Sequence, residues 1–548
     1  MNRLINMERW LQATAVWHVG VSLADVALIV WVWGTEWPLW GRIVLTVAFL
    51  LHMMLNWGAI TYFPARQHRG RSLSLAANYL GFLVSLLLSL HYLGIFLGLD
   101  ALANTFAQGL PFLGLAFVGY LVGGWGDRYE GTARQRQLQT AGKWIAAVAG
   151  IFFLLSVGIG GAILAILAAL RNSLTLGITV STGLFGLFCW LMWRQKAADA
   201  FNATVADSEM LDGYLLLSPN LVGFLIFFVG PLIFSFYVSL TNSDAFGTAD
   251  FVGLDNYIKI LDLDVARLTD GAQRANEVLD ILVYDEVTRV NLFGTYYVIG
   301  AADKLFWLAL GNTLKFVLYA VPISVIPALF LANLLNSDLP GMRIFRALYF
   351  LPSVAAVVGI ALVWQWLFNS TIGYINYAIT GIINLLNSIG GDFVDPAVRW
   401  LSNSDTALLA VVVMMAWRLV GFNTVLFLAG LQNIPKVLYE AATVDGAGPW
   451  RQFISVTLPM LAPTTFFVVI TTLITTFQVF EDVFILMGNN PAGPGNSTLV
   501  MVLYLYQKGF QRFELGYASA IAWVLFLLIF VATLAQARRQ SGGGAAYE

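Results

Sequence analysis

The sequence predicts an all-α protein, a polytopic membrane helix bundle with about twelve transmembrane helices, and three observations support this fold class. Hydrophobic residues make up 59% of the 548 residues and charged residues only 11%, far below the roughly 25% of a soluble domain. Apolar runs recur along the chain, each with the ~20 residues that a helix needs to cross a bilayer. Lysine and arginine collect in alternate connections between these runs, as the positive-inside rule requires of a multi-pass protein.

The composition also excludes several classes of site. The net charge of -2 gives no reason to expect nucleic-acid binding, and the single cysteine, Cys189, cannot form an intramolecular disulfide. His18, His52 and His91 fall inside predicted spans, which could suggest haem ligation, but their spacing forms no metal-ligand pattern. Buried histidines often bond only to neighbouring backbone, so we expect the chain itself to bind no metal and no cofactor.

Residues 1–200 are expected to form six additional transmembrane helices. These predicted spans lie near residues 11–33, 40–63, 74–97, 104–124, 144–168 and 174–193. No small-residue cleavage site follows the charged start, so the first span is expected to be retained. Asp25 is the only acidic residue deep in that span, where it could relay protons, cap a helix end at the interface or pair with another helix. Two roles are compatible with this part of the chain, a peripheral packing layer or a regulatory or protein-docking module.

Residues 201–540 are expected to form a second group of six helices, the transport core. These spans lie near residues 214–240, 305–335, 345–368, 404–430, 461–487 and 514–537. The polar stretch Arg194–Asp212 separates the two groups. The long polar segment 241–303 is expected to be an insertion outside the membrane, and residues 541–548 a flexible tail.

The basic residues predict the orientation. Connections at 66–71, 128–143 and 194–196 carry most of the lysine and arginine of the first half, and all fall on one side if the amino terminus is cytoplasmic. The same count places residues 431–460 and the carboxy terminus in the cytoplasm. The insertion then lies outside, where long loops translocate largely regardless of charge. We therefore expect a protein of the cytoplasmic (inner) membrane, surrounded by lipid, with both termini cytoplasmic.

Residues 431–460 are the least membrane-like part of the second half, and they predict two short helices joined by a turn. Pro435 can open the first helix, whose apolar residues share one face. Gly446 follows where the chain must turn, and Pro449 suits the first position of the second helix. Such a unit has too little apolar area to be a domain by itself. Its exposed face is therefore expected to lie in a groove of another protein.

Within this loop the sequence resembles the EAA motif of permease subunits in bacterial ABC importers. The residues that carry the resemblance are Glu440, Ala441 and Ala442, then Asp445 and Gly446, then Leu458 and Pro459. Further landmarks narrow the resemblance to the multi-sugar permeases, the family of the maltose-permease subunits. They include Leu217-Ser218-Pro219, Val252-Gly253-Leu254-Asp255-Asn256-Tyr257, Tyr349-Phe350-Leu351-Pro352 and Ala429-Gly430-Leu431-Gln432.

The resemblance implies a set of partners. In this family two permease subunits pair, an ABC ATPase dimer docks on the EAA loops, and an extracytoplasmic solute-binding protein delivers the sugar. The seven motif residues would then couple this chain to the ATPase. The sequence contains no G-x-x-x-x-G-K-[ST] phosphate cradle. ATP and Mg are therefore expected on the partner ATPase, and the chain is expected to be a transport subunit rather than an enzyme.

Polar and aromatic residues inside the second group of spans are the candidate substrate contacts, because a sugar offers hydroxyl groups and an apolar C–H face. In span eleven, Gln478, Glu481 and Asp482 interrupt an apolar run. Ionisable groups at such depth usually face a cavity or a partner. The two acids could contact sugar, form a salt bridge to Arg418, or lie near the outer interface.

The other candidate substrate contacts are Trp364 and Gln365 in span nine and Trp417, Phe422 and Asn423 in span ten. Tryptophans near helix ends are often interface anchors instead. Asn423 is expected to turn inward through a break in the helix at Gly421, as sites near the bilayer middle often require.

The expected function is that of the permease subunit of an ATP-driven, binding-protein-dependent importer with an oligosaccharide as cargo. One alternative is an ion-coupled secondary transporter in which Glu481 and Asp482 carry protons or sodium. Others are an ABC importer of a non-sugar solute such as glycerol phosphate, and a non-transporting membrane scaffold built on a permease core.

Overall fold

A computed structural model describes residues 2–244, 247, 249–336 and 340–544. By its internal contacts the chain divides into two compact units, 1–222 and 223–548. The functional boundary expected near residue 200 stays a prediction, because compactness does not test it. The last helix reaches Gly544, and the rest of the tail expected at 541–548 lies outside the described residues.

Helices of the first unit follow one another through short connections. They are α1 (Asn2–Trp33), α2 (Leu39–Tyr62), α3 (His68–Tyr92), α4 (Ile95–Gly126), α5 (Ala133–Ser156), α6 (Ile159–Ala169), α7 (Ser173–Trp193) and α8 (Gln195–Ala200), after which α9 (Val205–Phe224) leads into the second unit. Helix α3 packs against α7, and α4 packs against α5. A Cβ atom on Gly142 of α5 would lie 2.5 Å from the carbonyl oxygen of Gly119 in α4, so the two backbones touch where only glycine fits.

One predicted span in this unit is wrong. The helix expected at 144–168 is divided into α5 and the shorter α6, with Gly158 at φ +89° between them. Helix α5 also begins earlier, at Ala133. Hydropathy did not show the division because both sides of Gly158 are apolar. The left-handed conformation that glycine adopts there ends the helix.

The second unit combines long helices with several short ones. They are α10 (Gly230–Ser239), α11 (Asp255–Leu261), α12 (Lys304–Leu335), α13 (Met342–Val354), α14 (Val357–Leu367), α15 (Tyr374–Ser388), α16 (Ser404–Gln432), α17 (Lys436–Val444), α18 (Pro449–Gln452), α19 (Leu458–Met460), α20 (Ala462–Phe477), α21 (Glu481–Met487), α22 (Met501–Tyr506) and α23 (Leu515–Gly544). Short π-helical turns lie at Leu225–Val229, Phe453–Thr457 and Gln507–Gln511. The packing of α12 against α16 is the most extensive in the unit.

The predicted helical membrane bundle is confirmed. Among the described residues, 10 helices are long and apolar enough to cross a membrane, or 12 if each of two bent pairs is one span. The pairs are α13 with α14, bent by 98°, and the segment 449–460 with α20, bent by 68°. Spans nine and eleven were therefore wrong in detail. The chain is extended at Ala355 and Ala356 between α13 and α14, and α20 ends at Phe477, before the separate α21.

The insertion at 241–303 contains a small sheet that hydropathy did not predict. Strands β1 (Leu263–Leu268), β2 (Asp285–Leu292) and β3 (Thr295–Ala301) form an antiparallel sheet in the order β1-β3-β2. Leu268, Leu279 and Val298 pack together beneath it. The side chain of Arg289 donates to Glu286 at 2.7 Å and lowers the pKa of that carboxyl group.

Helix α16 is continuous from Ser404 to Gln432, so the break expected at Gly421 is wrong. Gly421 instead marks a close approach between two helices. A Cβ atom at this position would lie 2.1 Å from the carbonyl oxygen of Tyr349 in α13. The absence of a side chain lets the backbone of α13 rest directly on α16.

Candidate functional site

The loop with the EAA resemblance folds as the two expected short helices. Helix α17 ends in a turn where the N–H of Gly446 donates to the carbonyl of Thr443 at 3.0 Å and the N–H of Ala447 donates to that of Ala442 at 2.9 Å. Gly446 has φ +76°. These two hydrogen bonds and the left-handed conformation of Gly446 form a Schellman motif. The motif explains why glycine follows Asp445.

Side-chain bonds hold the two halves of the loop together. The amide nitrogen of Gln452 donates to Thr443 Oγ1 at 2.9 Å and to the carbonyl of Ala447 at 3.0 Å. The hydroxyl groups of Tyr439 and Thr457 lie 3.0 Å apart. These bonds join α17 to the segment 447–457, so the loop is one hydrogen-bonded unit.

One side of α17 packs on the ends of the membrane helices. Leu438 and Tyr439 contact a buried cluster that includes Leu431 at the end of α16 and Leu461 just before α20. Because the same cluster contains residues of both helices, a displacement of α17 would move the ends of α16 and α20 together.

The opposite side of α17 is exposed although it is largely apolar. Val437 and Val444 are 62% and 88% exposed, and Glu440, Ala441 and Asp445 are exposed beside them. Small and apolar side chains around one acid form a surface that another protein can cover. Of the other motif residues, Leu458 and Pro459 are exposed in α19 and Ala442 is half-buried.

In the membrane core, Asp482 forms an ion pair with Arg418. One terminal nitrogen of Arg418 donates to Oδ1 of Asp482 at 3.0 Å and to Oδ2 at 2.8 Å. Asp482 is 4% exposed. Of the three arrangements considered for this acid, the structure shows the salt bridge. Its neighbour Glu481 is exposed, and Gln478 is exposed as well.

Arg418 has further hydrogen-bonding capacity. Its Nε atom is buried and has no hydrogen-bond partner among the described residues. The half-buried Trp364 lies edge-to-face against Trp417, with 5.7 Å between ring centroids. The ion pair thus joins α16 to α21, and the two tryptophans join α14 to α16.

Asn423 points into the bundle, but from an unbroken helix. It is 1% exposed, and its amide nitrogen donates to Thr472 Oγ1 in α20 at 3.1 Å. Phe422, the preceding residue, is 43% exposed. Thr472 was missed from the sequence, although the hydroxyl-rich run Thr471-Thr472 and Thr475-Thr476 within an apolar helix signals a polar face.

The side chain of Gln365 forms hydrogen bonds with the backbone of α21. Its amide nitrogen donates to the carbonyl oxygens of Ile485 at 3.1 Å and Leu486 at 2.9 Å. These carbonyls belong to the last turn of α21, where the helix has no partner of its own for them. Gln365 thus fixes α21, which carries Asp482, against α14.

The chain is similar in sequence to known permease proteins. Residues 316–538 match the family described as "Binding-protein-dependent transport system inner membrane component". The chain is 32% identical over 341 residues to the probable ABC transporter permease protein YesP of Bacillus subtilis, covering 62% of this chain and 94% of that relative. It is also 32% identical over 322 residues to the arabinooligosaccharides transport system permease protein AraP of the same organism, covering 59% and 86%.

A third relative has a different printed cargo. The sn-glycerol-3-phosphate transport system permease protein UgpA of Escherichia coli is 30% identical over 330 residues, covering 60% of this chain and 94% of that protein. The likeness to permeases thus extends over most of the length of these relatives, and the family match at 316–538 spans the positions of the loop and of the ion pair described above. The chain belongs to the family of inner membrane components of binding-protein-dependent transport systems.

Proposed function

We propose that this chain is the permease subunit of an ATP-driven importer of a sugar, in particular an oligosaccharide. The observation that carries the proposal is the exposed apolar face of α17 around Glu440, on a loop tied to two membrane helices. Such a loop provides a mechanical link between an external partner and the core. A relative named as an arabinooligosaccharide permease supports the class of cargo.

The partner on α17 is an ABC ATPase dimer that binds ATP and Mg. Glu440, Ala441, Ala442, Asp445 and Gly446 form its docking surface. Closure of the ATPases moves α17, and the shared cluster passes the movement to α16 and α20. Because α16 carries Arg418 and Asn423, the substrate contacts change as the core opens to one side or the other. A second permease subunit completes the pathway.

The docking surface is tested by charge reversal with a matched control. In the assembled complex, Glu440→Lys should abolish sugar-stimulated ATP hydrolysis and weaken co-purification of the ATPase by at least about tenfold, which corresponds to ~1.4 kcal/mol. Glu130→Lys reverses another exposed glutamate, in the α4–α5 connection, and should leave both unchanged. Normal coupling in Glu440→Lys would refute the assignment of this face.

The substrate path runs past the aromatic and polar groups of the second unit. Trp364, Trp417 and Phe422 offer faces for the C–H side of a sugar, while Asn423, Gln478, Glu481, Asp482 and Gln365 offer polar contacts. Since Gln365 also holds α21, its substitution should alter the path indirectly. Trp417→Ala should raise the sugar concentration needed for half-maximal ATPase stimulation while basal hydrolysis stays unchanged.

The chain lies in the inner membrane with both termini and α17 in the cytoplasm, and a solute-binding protein faces the opposite side. The lysine and arginine distribution supports this orientation. Single cysteines are introduced at Ser541 and at Phe293 in a chain without Cys189. In intact cells the cysteine at Phe293 should be labelled from the outside, and the cysteine at Ser541 should be protected. Labelling of both from the outside would refute it.

Glycerol phosphate is the second candidate cargo, because a relative is named for it and because the buried Nε of Arg418 has no hydrogen-bond partner in the part of the chain that the structure describes. Oligosaccharides and sn-glycerol-3-phosphate compared as stimulators of the complex's ATPase activity separate the two. Ion-coupled transport through Glu481 and Asp482 is not favoured, since both oxygens of Asp482 are held by Arg418.

A further inference from the structure

A stripe of buried polar side chains runs along α1 in the first unit. Thr14, His18, Ser22 and Asp25 recur every three or four residues, which places them on one face of the helix. They are 0%, 0%, 7% and 4% exposed. Polar residues at this depth are expensive in a membrane bundle and commonly mark functional sites.

Asp25 pairs with His52 of α2. The Nδ1 atom of His52 lies 3.0 Å from both carboxylate oxygens of Asp25. Its Nε2 atom lies 3.1 Å from the carbonyl oxygen of Ala77 in α3. A carbonyl oxygen only accepts, so Nε2 carries a hydrogen.

The contact on the other side of the ring then requires one more proton. Without it, the lone pair of Nδ1 would face two carboxylate oxygens, which also only accept. The proton lies either on His52 as an imidazolium or on Asp25 as a carboxylic acid. In both cases the pair shares one proton and has no net charge.

The polar groups around the pair differ in how well they are satisfied. The amide nitrogen of Asn56 donates to the carbonyl of His52 at 2.8 Å, so its oxygen faces His18 Nδ1 at 2.6 Å. His18 Nε2 lies 2.7 Å from the hydroxyl of Ser74, and a neutral ring satisfies both contacts. Ser22, between His18 and Asp25 on the stripe, has a buried hydroxyl without a hydrogen-bond partner among the described residues.

We propose that Asp25 and His52 form an intramembrane proton-binding site, and that the stripe of α1 carries protons to it through water ordered at Ser22. An unpartnered hydroxyl beside polar groups is where a buried water binds. The ligand of the site is the proton itself. The site lies in the first unit and needs neither the cargo nor the ATPase of the transport core.

The surroundings favour the neutral, proton-loaded form. On α1, His18 is the other ionisable group near the pair. The described groups that contact His52 from α3 and α7 are the carbonyl of Ala77 and the ring of Phe185, whose centroid lies 6.2 Å from that of His52. Neither can balance a charge. Release of the proton would leave a buried anion, so release requires water to enter between α1 and α2 or the helices to separate.

The occupancy of the site can be read by spectroscopy. The full chain is labelled with 15N-histidine and reconstituted in lipid nanodiscs at neutral pH. If the proton is on His52, both of its ring nitrogens should carry hydrogen in the NMR spectrum. If the proton is on Asp25, the infrared spectrum should show a protonated carboxyl band that vanishes in Asp25→Asn. The control His91→Gln, at the exposed end of α3, should change neither signal. A bare Nδ1 beside an ionised Asp25 would overturn the proposal.

The route is tested by the rate at which this proton exchanges with solvent. Ser22→Ala should slow the exchange several-fold, because it removes the hydroxyl that orders water but preserves the packing. Ser85→Ala is the matched control, since the hydroxyl of Ser85 is also buried but bonds within α3, to the carbonyl of Gly81. A pair that serves only to hold helices together would show no effect of Ser22→Ala, and that result would overturn the proposed route.

Discussion

Removal of the carboxylate of Asp482 should strongly destabilise the second unit. The two side chains of the Arg418–Asp482 pair are 19% and 6% exposed, closer to a buried ion pair than to a surface one. Breaking a buried pair typically costs ~3–5 kcal/mol because one charge stays behind without a partner, whereas exposed pairs contribute about 0–1 kcal/mol. We expect Asp482→Asn to cost about 3 kcal/mol, because Arg418, whose Nε already lacks a partner among the described residues, would also lose its counter-charge.

The assay is reversible unfolding in mixed micelles of Asp482→Asn, Arg418→Gln and the double variant. The double variant removes both charges, so it should be more stable than the sum of the single changes implies, with a coupling energy of about 2 kcal/mol. The control Glu481→Gln changes an exposed neighbour and should stay within about 0.5 kcal/mol of the parent. Single variants that cost under ~1 kcal/mol with no coupling would show that the pair is solvated and would refute the reasoning.

Contacts in the second unit determine the expected effects of three further substitutions. Gly421→Ala should cost about 1–3 kcal/mol by overpacking against α13, whereas Gly359→Ala, with no atom within 4 Å of its Cβ, should be neutral or stabilising in the same unfolding assay. Asn423→Ala should cost about 1–3 kcal/mol by leaving the hydroxyl of Thr472 unsatisfied. Thr472→Val should cost less in the Asn423→Ala background than it costs in the parent chain. Gly446→Ala should lose about 1 kcal/mol from its left-handed position and reduce ATPase coupling, measured by sugar-stimulated hydrolysis.

Hydropathy predicted the membrane helices well because a span must be apolar over its whole length. It failed where the chain changes direction without changing polarity. Gly158 divides α5 from α6 inside an apolar run, and the chain is extended at Ala355 and Ala356 between two equally apolar helices. The sheet of the insertion was missed for another reason: its strands are 6–8 residues long, too short for a membrane span, and two of them mix apolar with charged residues.

For the candidate site, residue types were easier to predict than contacts. The turn at Gly446 could be expected from its sequence because the signal is local. The pairing of Asp482 with Arg418 joins residues far apart in the chain, so the sequence offered it only as one of several arrangements. The inward position of Asn423 was expected from a helix break that does not exist. The roles of these residues in docking and in sugar binding stay predictions.

The contact between Gly119 and Gly142 bears on how the protein is made. Helices α4 and α5 are consecutive, joined by a short connection, and their closest approach needs no residue from later in the sequence. Such local pairings form early, because little chain entropy is lost in closing them. The two helices should therefore already be paired when they leave the insertion machinery. Later segments would then assemble on this helical hairpin. A larger side chain at either glycine would then reduce the yield of inserted protein, even if the mature complex transported normally.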